Sequence, residues 1–230
     1  MQSSFLCNAT SDARAKACQS VILETRKKDF AHRIEVFKMA ITVEKNVNGI
    51  EGLCVITPKV FGDDRGYFME TYNENDMKAE GLDYVFVQDN QSASKKGVLR
   101  GLHFQKNFPQ DKLVRVISGE VYDVAVDLRE GSATFGKHYG ILLSAENKKQ
   151  FMIPKGFAHG FLVVSDYAEF CYKVTDFYHP NDEGGLAFDD PDINVQWPIP
   201  EGMTKDDLIL SDKDKVNASY KEYCKEHGIN

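Results

Sequence analysis

Two histidines stand beside glycines in this chain, in Val98-Leu-Arg100-Gly-Leu-His103-Phe-Gln105 and in Pro154-Lys-Gly156-Phe-Ala-His159. Imidazole titrates near neutral pH, so a histidine aimed into a pocket can take up or return a proton. A lone histidine in a sheet protein is more often structural than catalytic. Two in glycine-flanked settings, separated by strand-like runs, point instead to a site. Proline and glycine in the second segment set a tight turn ahead of His159. Arg100 precedes His103 across a glycine, so the local backbone decides whether the two face the same way. His32, His138, His179 and His227 lack such a setting and read as surface residues.

The second segment resembles the PxGxxH motif of cupins, in which the histidine points into a barrel after a strand-turn-strand junction. Metal-binding cupins draw their other ligands from an earlier HxH and a downstream Glu, because an open metal site takes about three protein donors. The corresponding stretch here is Gly101-Leu-His103-Phe-Gln105, with a single histidine. The expectation is a metal-free cupin.

The elements that must position these residues are short β-branched and aromatic runs broken by turn residues, among them LCVITP, GYFMETY, KLVRVI, HYGILLS, HGFLVVS and EFCYKVTDFY. Such runs at close spacing predict an all-β antiparallel sandwich or barrel rather than βαβ units. Between KLVRVI and VYDVAVDL, Ser118-Gly119-Glu120 predicts a hairpin. On the second of these strands Val121, Asp123, Ala125 and Asp127 share one face, and Tyr122, Val124, Val126 and Leu128 the other. Tyr172 and Tyr178 share a face of an ideal strand and could simply pack in the sandwich. Helical pattern is confined to residues 75–80 and 218–226.

With 230 residues, 42% hydrophobic and 27% charged, the chain can fill one or two globular cores. No apolar run approaches the roughly 18 residues of a membrane span, and the start lacks the apolar stretch of a signal peptide, which predicts a cytoplasmic protein. The five cysteines, Cys7, Cys18, Cys54, Cys171 and Cys224, are odd in number and form no CxxC pair, so free thiols are expected. Residues 1–38 differ in texture, with seven basic and four acidic side chains and no Gly or Pro, and are set apart as an extension of unknown role. The remaining residues, 39–230, carry 21 basic and 31 acidic side chains, a balance that argues against a nucleic-acid surface.

Residues 50 to about 216 resemble, nearly end to end, the dTDP-4-dehydrorhamnose 3,5-epimerase family. The matching motifs are DDRGYFMETY, VQDNQS, VLRGLHFQ, KLVRVISGEVYDVAVDLR, PKGFAHGF, YKVTDFYHPNDE, DDP with a later WP, and LSDKD. The resemblance implies a jelly-roll cupin, homodimeric, acting on dTDP-4-dehydro-6-deoxyglucose (a dTDP-4-keto-6-deoxyglucose) without a cofactor. Inverting a carbon beside a ketone needs a base for the α-proton, a cation for the enolate and an acid on the opposite face.

By the resemblance His103 is the base, Asp214 the carboxylate that orients it, Lys112 the cation near the keto oxygen and Tyr172 the proton donor. Arg65 and Arg100 suit bidentate binding of diphosphate, with Lys213 adding charge. Tyr178 is similar to the aromatic that stacks on thymine, and Glu70, Gln88, Asn90, His159 and Glu183 occupy positions that contact substrate in the family. Residue by residue, plainer roles are open: Arg65 as a turn arginine paired with its neighbours, Glu183 as a cap of the turn after Pro180. The alternatives in activity are an epimerase of C3 or C5 alone, a metal-dependent cupin and a non-catalytic sugar-nucleotide-binding cupin.

Overall fold

Alternation of inward and outward side chains, over runs too short for long helices, builds two antiparallel sheets. The computed structural model describes residues 41–229, so the segment 1–38 lies outside the described residues. One sheet holds β1 (Ile41–Lys45), β2 (Cys54–Pro58), β5 (Gln88–Lys95), β7 (Lys112–Ser118), β10 (Gln150–Ile153) and β12 (Tyr167–Val174), in the order β1-β2-β10-β7-β12-β5. The other holds β6 (Leu99–Gln105), β8 (Glu120–Asp127), β9 (His138–Ser144), β11 (Phe157–Val163) and β13 (Glu183–Gly185), in the order β13-β6-β11-β8-β9. A separate ribbon pairs β3 (Val60–Asp63) with β4 (Gly66–Met69). The architecture is the cupin-like antiparallel jelly roll expected from the sequence.

The sheets close on a core to which both contribute: Val114 and Val116 of β7, Phe151 of β10 and Phe170 of β12 meet Val121 and Ala125 of β8 and Phe161 of β11. Phe161 and Phe170 stack across the gap at 4.2 Å between ring centroids. Burying a phenylalanine contributes about 1.5–3 kcal/mol. Both outer faces are also covered. Val124 and Val126 pack under Ile193, Val195 and helix α2 (Tyr220–Glu226), while Cys54, Ile56 and Met152 pack under Met77 of helix α1 (Glu74–Ala79). The expected division of β8 into two faces is thus realised, with each face in a different core. The capping box of Ser219 and Glu222 starts α2, and the Asn73 side chain caps α1.

Three expectations need correction. Ser118-Gly119-Glu120 does not close a hairpin: β7 and β8 belong to different sheets, and Gly119 is the corner where the chain crosses from one to the other. The corner requires glycine. Its φ is +72°, and a Cβ there would lie 1.9 Å from the Tyr167 carbonyl oxygen. His138 and His179 are not plain surface residues. Burial lowers the pKa of His138, and His179 stacks on Phe108 at 4.1 Å. His227 is exposed and His32 lies outside the described residues. Finally, β12 ends at Val174, so Tyr172 and Tyr178 do not share a strand.

Among the described residues no helix is long and apolar enough to cross a membrane, and Cys54, Cys171 and Cys224 are free thiols. Gly119→Ala should destabilise the fold by more than about 1 kcal/mol, since alanine meets both the strained φ and the clash; urea unfolding measures it.

Candidate active site

The inward faces of four strands are apolar in the middle of the sandwich and carry polar residues toward one end. On β7 the inward set is Lys112, Val114 and Val116; on β12 it is Ala168, Phe170 and Tyr172. On β11, His159 lies between the core residues Phe157 and Phe161, and on β8 Asp123 lies between Val121 and Ala125. The polar end opens into a cavity of about 730 Å³ lined from β5, β6, β7, β11, β12 and β13 and from the loop around Ser211 and Asp214.

Strand β6 would ordinarily send Arg100 and His103 to opposite faces. It does not, because it carries one extra residue. His103 lies opposite His159 and Arg100 opposite Phe161, so three steps on β6 match two on β11. Gly101 makes this bulge possible: its φ is +128°, and its missing Cβ would fall 2.5 Å from the Cα of Gly160. Arg100 and His103 both line the cavity as a result.

His103 donates from Nε2 to Oδ1 of Asp214, leaving Nδ1 as the ring nitrogen for chemistry. Asp214 is 4% exposed, and its Oδ2 accepts from Ser211 Oγ at 2.8 Å. Burial opposes its charge, but the hydrogen bonds from His103 and Ser211 outweigh that and hold its carboxyl below the usual range. A second His-carboxylate pair lies beside the first. His159 Nε2 is 3.0 Å from both oxygens of the buried Asp123, and burial lowers the His159 pKa. Desolvation brings Lys112 down to about 8, against an upward pull from Asp123. Burial pushes the Tyr172 phenol up, which keeps it protonated and able to donate near neutral pH.

At the rim Tyr178 OH donates to Glu183 Oε2 at 3.1 Å, and Lys213 pairs with the same carboxylate. Gln88 donates to Asn90 at 2.8 Å and accepts from the backbone N–H of Tyr178 at 3.2 Å. Glu183 therefore does more than cap a turn. Arg100 donates from Nε and Nη2 to Ser94 Oγ at 3.3 and 3.1 Å, which fixes the plane of its guanidinium.

The structure thus brings together His103, Asp214, Lys112, Tyr172, Gln88, Asn90, Arg100, His159, Tyr178 and Glu183 around one cavity, with Lys213 bound to its rim. It does not bring Arg65 or Glu70 there. Both sit outside the cavity lining: Arg65 is in the turn of the β3–β4 ribbon, its side chain 90% exposed and paired with Asp63, and Glu70 is the exposed residue just after β4. Sequence reasoning missed Ser94 and Ser211, which orient Arg100 and Asp214. Only the placement of Ser211 three residues before Asp214 hinted at the second. Among the described residues no group of three His, Cys, Asp or Glu side chains could hold a metal ion.

A cupin-like jelly roll whose mouth holds a carboxylate-backed imidazole, a desolvated ammonium and a protonated phenol defines an acid–base enzyme of the cupin class. Comparison with known proteins narrows it. The chain belongs to the dTDP-4-dehydrorhamnose 3,5-epimerase family, whose model matches residues 48–222. It is 54% identical over 166 residues to the dTDP-4-dehydrorhamnose 3,5-epimerase of Methanothermobacter thermautotrophicus, covering 72% of this chain and 88% of that one. The crystal structure of the same enzyme from Elizabethkingia anophelis superposes with a TM-score of 0.73 at 49% identity, covering 80% of this chain and 98% of that one. A Legionella pneumophila 3,5-epimerase solved with dTDP-4-keto-L-rhamnose gives 0.75 at 46% identity, covering 81% and 96%.

Gly101→Ala should remove the bulge and rotate His103 away from Asp214. The expected result is loss of the low-field imidazole N–H resonance in proton NMR, with a stability loss of more than about 1 kcal/mol.

Proposed function

We propose that this chain inverts C3 and C5 of dTDP-4-dehydro-6-deoxy-D-glucose to give dTDP-4-dehydro-L-rhamnose, a step of deoxysugar (rhamnose) biosynthesis. The observation that carries the reading is the His103–Asp214 pair sharing one cavity with Lys112 and Tyr172. His103 takes the α-proton, and the C–H electron pair moves into the ring and onto the C4 oxygen. Asp214 stabilises the imidazolium that forms. Lys112 carries the positive charge that the enolate oxygen needs, in a site dry enough for it to count. Tyr172 returns a proton to the opposite face, leaving the carbon inverted.

The nucleotide is bound by Arg100 at the diphosphate and Tyr178 against thymine, with Gln88, Asn90, His159, Glu183 and Lys213 completing the contacts. Arg65 and Glu70 join through a homodimer. The ribbon that carries them exposes Phe61, Tyr67 and Phe68, an apolar surface suited to a second copy, whose cavity mouth would then receive them. The enzyme works in the cytoplasm, in keeping with its free thiols.

Incubation with the keto sugar nucleotide in deuterium oxide, with EDTA present, should place deuterium at C3 and C5; no exchange at either carbon would overturn the reading. His103→Ala should lower exchange by about 10²–10⁴-fold. Tyr172→Phe should spare deprotonation more than epimerisation. For the assembly, Phe68→Asp should sediment as a monomer and raise KM, whereas an unchanged sedimentation coefficient would remove the ribbon from the interface.

A further inference from the structure

We propose that Asp123 is a positioning residue of the epimerase site, a single buried carboxylate that orients His159 and sustains the ammonium of Lys112. This rests on the reading of the site given above. Asp123 is 0% exposed and occupies an inward position of β8 whose neighbours Val121 and Ala125 are core residues. A carboxylate in such a place needs compensating partners. Both its oxygens meet His159 Nε2 at 3.0 Å, which fixes that nitrogen as the donor and leaves Nδ1 as the ring nitrogen free of Asp123.

The second partner is Lys112, on the facing sheet. Arg100 and His103 from β6, His159 from β11 and Tyr172 from β12 line the cavity with Lys112, and Asp123 of β8 lies behind His159. The two carboxylates that line the cavity are already engaged: Glu183 by Lys213 and Tyr178, and Asp214 by His103 and Ser211. Burial pushes the Asp123 carboxyl up while His159 and Lys112 pull it back down, and its charge opposes the desolvation that lowers the Lys112 pKa to about 8. What Asp214 does for the base, Asp123 does for the group that receives the enolate charge.

The sign of the effect follows. Lys112 serves while protonated, so activity falls as pH rises through its pKa. Without the Asp123 charge that pKa drops further, and the alkaline limb of kcat moves to lower pH. Asp123→Asn keeps the volume and removes the charge. It should shift that limb down by about one pH unit, lower kcat at pH 8 about fivefold, and move the ¹³Cε titration of Lys112 by the same interval. In a Lys112→Arg background, where the cation does not titrate, Asp123→Asn should leave the limb in place; a shift that persists there would overturn the proposal. So would a folded Asp123→Asn enzyme with an unaltered limb. Should that variant not fold, the ¹³Cγ resonance of Asp123 in the wild-type protein decides: it must report a carboxylate between pH 6 and 8, and a carboxylic acid there overturns the proposal. Absence of deuterium exchange in the wild type would sink the epimerase reading alone, leaving both NMR titrations to judge Asp123.

Discussion

The extra residue in β6 is the constraint on which the site depends. A regular strand alternates its side chains, and Arg100 and His103 would then point to opposite sides of the sheet. The close approach of Gly101 to Gly160 admits a bulge that returns both to the inward face. From there His103 reaches Asp214 across a long stretch of chain, and Arg100 reaches Ser94. A side chain on either glycine would separate β6 from β11 and undo both contacts together.

A second regularity is where polar residues interrupt the core. Lys112, Asp123, His159 and Tyr172 occupy positions that the strand period assigns to the interior, in line with Val114, Val121, Phe161 and Phe170. A buried charge is costly unless paired, so the interior of the site is assembled as pairs: His103 with Asp214 and His159 with Asp123. The same low-polarity surroundings that make pairing necessary make the remaining charge on Lys112 effective against a developing enolate. The apolar packing of Phe161 on Phe170 beneath the cavity closes its floor and holds β11 and β12 in place.

Much of this was legible in the residues. Runs of β-branched residues disclosed the strands, the glycine-flanked histidines disclosed the site, and the ordered motifs disclosed the family. The hairpin at Ser118-Gly119-Glu120 was misread because a tight glycine turn looks the same whether the strands it joins pair with each other or leave for opposite sheets. His138 and His179 were misread because packing against residues distant in the chain leaves no local trace. Ser94 and Ser211 went unnoticed because a serine that orients another side chain carries no pattern of its own.

By itself the sequence determined the strand content, the facing of β8 and the chemical groups available, since these follow from side-chain type and a period of two. Tertiary structure alone decided which groups meet. Bulge, corner and sheet order are non-local: they arise where distant strands must pack without clash, as Gly101 does on Gly160 and Gly119 on Tyr167. Only that packing joins His103 to Asp214 and Asp123 to His159, turning separate ionisable residues into paired ones.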